Sequence, residues 1–140
     1  IIYDPVKQVV GIVHAGWMGT VNQIADKAIS EVRNRYGSAP GDIVAAIGPS
    51  IGPDHYFVGE DVYNQARAAF RDDQSGILTK ENGKFVLNLW KANEHLLRKA
   101  GVHNIKQANI CTACDTKRWF SHRAESGQTG RFAVVIGLVV

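Results

Sequence analysis

The stretch VVGIVHAGWMGTVNQIADKAISEVRNRYG, residues 9–37, decides the fold. Val9–Val13 is a continuous apolar run, the pattern of a strand covered on both faces. Thr20 reads as a helix N-cap. After it Val21, Ile24, Ala25, Ala28, Ile29, Val32 and Tyr36 recur in steps of three and four. That spacing puts them on one face of a helix, which Gly37 stops at its C-terminal end. A buried strand passing through a Gly-rich turn into an amphipathic helix is one unit of an α/β fold.

The alternation continues on both sides. Ile1-Ile2-Tyr3 reads as a strand, with Asp4-Pro5 turning out of it. Ser38–Gly41 is a turn, Ile43–Ile47 a second buried strand, and Gly48–Pro53 a rigid loop before a helix near Glu60–Phe70. Asn82-Gly83, between Ile77-Leu78-Thr79 and Phe85-Val86-Leu87, predicts a β-hairpin. Asn88 caps a third helix with Leu89, Asn93, Leu96, Leu97 and Ala100 inward, ended by Gly101. Ile105–Ile110 reads as a strand, Cys111–Arg131 as a long polar loop, and Phe132–Val140 as a final buried strand. The hairpin breaks a purely parallel pattern, so the expected class is α/β, a layered α/β sandwich with a mixed sheet.

A chain of 140 residues suits one domain, spanning 1–140. With 45% hydrophobic and 21% charged residues, it is not intrinsically disordered. No apolar run approaches the ~18 residues of a membrane helix, so no membrane partner is expected. The net charge of +3 comes from cations scattered along the helices. That distribution suits a small anionic ligand and lacks the basic stripe of a nucleic-acid binder. Cys111 and Cys114 are too few for a disulfide framework and read as an intracellular thiol pair, placing the protein in the cytoplasm. The chain opens without Met, on Ile1-Ile2-Tyr3, and closes in an apolar run. The expectation is a domain lacking its N-terminal portion.

Three segments carry candidate chemistry. The first is Val13–Thr20, where a strand ends at His14 and the backbone passes through Gly16 and Gly19 into a helix. Amides and a helix dipole aimed at one point suit an anion, and an imidazole at a strand end can hold a metal or move a proton. A tight turn with a satisfied histidine fits the same residues. The second is Gly48–Pro53, leaving a strand end on the same side, with His55 and Tyr56 able to reach a shared cleft. The third is Cys111–Arg131, where Arg123 and Arg131 suit a phosphate or carboxylate through bidentate guanidinium bonds. Surface arginines without a ligand fit equally well. Cys111 and Cys114, with His103 or His122, are half a zinc site. One CxxC without a second pair falls short of the four ligands a structural zinc needs, so none is expected there.

HAGWMGT at 14–20, AIGPSIGPDHYFVGEDV at 46–62, NLWKANEHLLRKAGV at 88–102, ICT at 110–112 and WFSHR with TGRFAVVIGL within 119–138 resemble the YfiH, or laccase-domain, family. The resemblance runs through essentially the whole chain. It implies an α/β protein, first described as a multicopper polyphenol oxidase and later as a zinc-dependent purine nucleoside phosphorylase. Adenosine deaminase and methylthioadenosine phosphorylase activities go with the later description. It further implies one catalytic zinc held by two His and one Cys, of which His14 is the last. The other two ligands fall before residue 1, and Cys111 and Cys114 do not match the metal cysteine. Met18 stands where the family usually has Arg, which removes a cation beside the loop. The partners implied are a nucleoside and phosphate, held by Gly16, Gly19, Arg123 and Arg131. Copper is the alternative metal, with phenol oxidation as its chemistry, although five His and two Cys without HxH pairs disfavour a multicopper centre. A non-catalytic purine-binding or interaction domain is the further alternative, given Met18 and the missing ligands.

Overall fold

The computed structural model describes residues 1–71 and 74–139. In chain order its elements are β1 (Ile2–Asp4), β2 (Val9–Gly11), α1 (Trp17–Val21), α2 (Ile24–Tyr36), β3 (Val44–Ile47), β4 (Phe57–Val58), α3 (Glu60–Ala69), β5 (Leu78–Glu81), β6 (Lys84–Leu87), α4 (Leu89–Lys99) and β7 (Asn104–Gln107). One sheet has the order β2-β1-β3-β7 and the other β4-β6-β5. In the first, β1 is antiparallel to both β2 and β3, and β3 is parallel to β7. The class is therefore α/β with a mixed sheet. Because β2, β3 and β7 all run against β1, their C-terminal ends share one edge of the sheet. The loops that follow Gly11, Ile47 and Gln107 all leave from that edge.

Packing follows the apolar faces. Ile29 of α2, Ile43, Leu87, Val102 and the α4 residues Ala92 and Leu96 are at most 2% exposed and share one core. The Asn88 side chain accepts from the Lys91 N–H at 3.0 Å, capping α4 as its sequence predicts. The hairpin closes at Asn82-Gly83, with Glu81 opposite Lys84. Both turn residues have positive φ, 48° and 79°, which a tight two-residue turn demands and Asn-Gly tolerates.

Four expectations need correction. Thr20 is not an N-cap: Gly16 takes that place, and Thr20 lies buried inside α1. The single helix expected from Val21 is interrupted, because Gln23 adopts φ 60° and starts α2 afresh. The apolar spacing survives the break, since Val21 and Ala28 both pack on the core. The run Val9–Val13 pairs only through Gly11, and Ile12 is 47% exposed. Its strand is one of the sheet's two outer strands, so it is not covered as a central strand is. Finally, Phe132–Val139 forms no strand among the described residues, and Val135 and Val139 are exposed. A strand needs a ladder partner, and this run instead passes along a cleft of about 360 Å³ with Tyr3, Gln8 and Val10. Val140 of that expected strand lies outside the described residues. Among the described residues no helix is long and apolar enough to cross a membrane.

The turn from β1 to β2 depends on one buried carboxylate. Asp4 is fully buried, and its Oδ1 accepts from the Val6 and Lys7 N–H groups at 2.8 and 3.0 Å. Burial alone would raise its pKa, but the Ser38 hydroxyl and those two amides outweigh it and hold the carboxyl below its ordinary value. A carboxylate depressed in the folded state adds stability above the unfolded value near about 4, and that stability is lost as pH falls through the lower folded value. Asp4→Ala should therefore lower unfolding free energy by about 1.5–3 kcal/mol at neutral pH, the worth of hydrogen bonds to a charged group. The difference from wild type should shrink as denaturant melts are repeated at progressively lower pH. A pH-independent difference would place the role of Asp4 in packing instead.

Candidate functional site

The parallel pair β3 and β7 continues past its strands. The Ser50 N–H donates to the Ile110 carbonyl at 3.2 Å, and the Thr112 N–H donates to the Ser50 carbonyl at 3.0 Å. The Trp90 indole donates to Ser50 Oγ at 2.6 Å, fixing the same loop to α4. These bonds lay the two strand-end loops side by side. The short 3₁₀ turn Pro53–His55 then sets Asp54 and His55 against the Cys111–Cys114 turn.

His55 Nδ1 lies 3.6 Å from both Cys111 Sγ and Cys114 Sγ, and 3.1 Å from Asp54 Oδ2. Cys114 Sγ is 3.6 Å from the same carboxylate oxygen. Asp54, His55, Cys111 and Cys114 thus form a group whose donor atoms could hold a metal ion. Cys111 is half-buried and Cys114 exposed. Burial pushes the Cys111 thiol up, but N–H donation from Gly52 and bonds from Cys114 and Ala113 bring it below its ordinary value. Cys114, hydrogen-bonded to Cys111 and facing Asp54, is pushed up to about 11. Cys111 is therefore the more easily deprotonated of the two sulfurs. A cleft of about 300 Å³, lined by Ile110, Cys111, Cys114, Asp115, Arg118 and Trp119, opens beside the pair.

Sequence spacing found the cysteines and noted His55 separately. It offered His103 or His122 as their partner, and neither belongs to the group. Asp54 was missed. The available signal was that Asp54-His55 and Cys111 each follow a strand, β3 and β7, that proves to be parallel and adjacent.

At the third strand end, the His14 side chain is exposed and folds over Gly16. A Cβ at position 16 would sit 3.2 Å from its Nε2, so a side chain there would push the imidazole aside. At Gly19 a Cβ would meet Ile24 at 3.3 Å and the His14 carbonyl at 3.5 Å, so the loop closes tightly there too. Thr20 Oγ1 donates to the Ala15 carbonyl at 3.3 Å and accepts from the buried Asn93 amide at 3.0 Å, tying this loop to α4. Met18 is 60% exposed. Arg123 donates to the Phe57 carbonyl at 2.5 Å and lies over the Tyr56 ring, 5.1 Å from its centroid. Tyr56 is buried beneath it. Arg131 is exposed and donates to its neighbouring carbonyls, Thr129 and Gly130. Trp119 packs edge-on against Phe132.

A family model described as multi-copper polyphenol oxidoreductase laccase matches residues 1–139. A purine nucleoside phosphorylase of Deinococcus radiodurans is 41% identical over 99% of this chain and 52% of its own length. The purine nucleoside phosphorylase YlmD of Bacillus subtilis is 36% identical over 97% of this chain and 50% of its own. Among solved structures, the Bacillus licheniformis hypothetical protein YfiH superposes with a TM-score of 0.86 at 39% identity, covering 92% of this chain and 49% of that one. YlmD from Geobacillus stearothermophilus gives 0.85 at 36% identity, with the same coverage. The chain spans about half the length of the proteins it matches.

The thiol pair yields a direct test. In reduced, chelator-treated protein, the pH dependence of Cys111 alkylation should show a midpoint below that of a free cysteine, near about 8.5. Cys114→Ala removes a bond that lowers it, so the midpoint should move up. Peptide mapping by mass spectrometry separates the two sulfurs. A Cys111 midpoint at or above that of free cysteine would contradict the arrangement.

Proposed function

The chain belongs to the multi-copper polyphenol oxidoreductase laccase family, and on that premise we propose that it forms part of a zinc-dependent purine nucleoside phosphorylase. The substrates proposed are a purine nucleoside (adenosine, inosine or methylthioadenosine) and phosphate, with adenosine deamination as a side activity. The observation that carries this reading is the exposed His14 imidazole at a strand end, in a chain 36–41% identical to proteins named purine nucleoside phosphorylase.

A catalytic zinc keeps three protein ligands and one open position. His14 stands outside the group of donor side chains that could share an ion among the described residues. One imidazole does not hold such a zinc, so the described residues do not make that centre by themselves. In the proposed enzyme the remaining ligands come from outside them.

Phosphorolysis asks that phosphate be positioned, that the departing purine be protonated, and that positive charge on the ribose be tolerated. Arg131, bonded among the described residues to adjacent carbonyls through Nη1, has guanidinium donors left for phosphate. Arg123 is committed to Phe57 and Tyr56, which suits holding the loop at least as well as holding substrate. Gly16 and Gly19 let the backbone close around His14, and His14 at the mouth of that loop takes the catalytic role. The family description also names a copper oxidoreductase. Phenol oxidation that follows added copper would favour that second reading.

In the complete protein, His14→Ala should lower phosphorolysis by about 10²–10⁴-fold with the circular dichroism spectrum unchanged, because the side chain is exposed. Undiminished turnover would remove His14 from the mechanism. Arg131→Ala should weaken phosphate binding about ten- to a hundredfold, the worth of a charge-assisted bond, while sparing deamination. Arg123→Ala, scored by the same two titrations, tells the two arginines apart: equal losses in both reactions mean that it holds the loop. Met18→Arg should tighten phosphate binding if position 18 faces the anion.

A further inference from the structure

We infer that Asp54, His55, Cys111 and Cys114 are the ligands of a tetrahedral site for a zinc-class divalent ion, a clasp distinct from the centre proposed at His14. Bonds of about 2.3 Å to sulfur and about 2.0–2.1 Å to nitrogen and oxygen, at tetrahedral angles, set sulfur about 3.5 Å from nitrogen or oxygen. Nitrogen and oxygen then fall about 3.3 Å apart. The observed edges are 3.6 Å for each of the two S–N pairs, 3.6 Å for S–O and 3.1 Å for N–O. All four donor atoms lie within 4.8 Å of one another. Four of the six edges of the donor set thus come close to those of a zinc-sized tetrahedron, and the other two are no longer than 4.8 Å.

The donor set selects the metal. Two thiolates and an imidazole disfavour magnesium and calcium, which take oxygen ligands, and favour a soft or borderline ion in tetrahedral geometry. Binding requires both sulfurs as thiolates, so their protons leave to solvent. The surrounding shell is built for this. The Gly52 N–H donates to Cys111 Sγ at 3.2 Å, an outer bond that orients a ligating sulfur. A Cβ on Gly52 would lie 2.6 Å from Asp54 Oδ1 and 3.1 Å from Cys111 Cβ, so a side chain there would crowd a ligand on each half of the site. The cleft lined by Ile110, Asp115 and Arg118 reaches both cysteines, giving an ion a path in.

The ion joins two loops. Asp54 and His55 follow β3, while Cys111 and Cys114 follow β7, more than 50 residues later. Past the strand ends the loops are paired through Ser50 with Ile110 and Thr112, so the metal extends the β3–β7 contact into the long loop that carries Arg123 and Arg131.

The experiment is a cobalt titration of reduced, metal-stripped protein. We expect one equivalent of Co²⁺ to give thiolate-to-cobalt charge-transfer absorption with the visible bands of tetrahedral cobalt, both bleached by Zn²⁺. Cys111→Ser and Cys114→Ser should each weaken binding at least about a hundredfold, since losing even an outer-shell partner costs about 10–100-fold. Gly52→Ala should weaken it about tenfold while every ligand remains. In the complete protein the titration is run in the His14→Ala background, so that a metal at the strand-end histidine contributes nothing. The bands should persist there even if the proposed phosphorylase reading fails. Absence of a thiolate–cobalt band in the reduced wild-type protein would overturn the site, and that result does not depend on any variant folding. A band that survives loss of both cysteines would overturn it as well.

Discussion

The parallel pairing of β3 with β7 is the constraint on which the rest of this molecule depends. Four residue pairs, from Val44–Asn104 to Ile47–Gln107, fix the register. Beyond them the pairing resumes at Ser50 and Cys111, shifted by one residue on the β7 side, where Asn109 takes a φ of 52°. Parallel strands end at the same edge, so whatever follows one is delivered beside whatever follows the other. A one-residue slip would turn alternate side chains to the opposite face and carry Cys111 away from Gly52. The Trp90–Ser50 bond guards against that by anchoring the β3 loop to α4, which packs on the same sheet.

The His14 loop is held by a different device. It follows β2, an outer strand only three residues long, which cannot position a loop by itself. Its fixed point is Thr20, buried and bonded to Asn93 of α4. Asn93 also donates to the Leu89 carbonyl at 2.9 Å, so its orientation is set within its own helix. Burying a polar pair costs desolvation that only a satisfied hydrogen bond offsets. The pair thus favours one placement of the loop over its alternatives. Helix α4 therefore braces two of the three strand-end loops, one through Trp90 and one through Asn93.

Much of the architecture was legible because it rests on local rules. The Asn82-Gly83 turn, the Asn88 cap and the apolar face of α4 need only neighbours within a few residues. The interruption at Gln23 was not legible, because apolar spacing runs unbroken across it and only the backbone changes. The apolar run Phe132–Val139 reads as a strand by composition, yet composition says nothing of a ladder partner. At the site, His14 and its glycines were visible as a strand–turn–helix junction. The group around Cys111 was not, because its halves meet only through the β3–β7 pairing. Asp54 carries no signal of its own in a loop whose prolines and glycines already explain its shape.

The long segment after β7 shows how those restraints add up. From Cys111 to Arg131 it contains no helix or strand element, so its order rests on turn hydrogen bonds within it and on side-chain contacts. Its start is held by Ser50 and by the contacts of Cys111 and Cys114 with His55. Its middle is held by Arg123, which reaches back to Phe57 and covers Tyr56. Between and beyond them Glu125 accepts from the Ser121 N–H at 2.7 Å and from the Thr129 hydroxyl, folding the segment on itself. Phe57 and His55 are two residues apart on the same stretch, so the anchors of the loop fall on the start of β4 and the turn just before it. A disturbance at His55 would therefore be felt at Arg123 through the few residues between. The position of Arg123 is thus tied to the cysteine group through Phe57 and Tyr56.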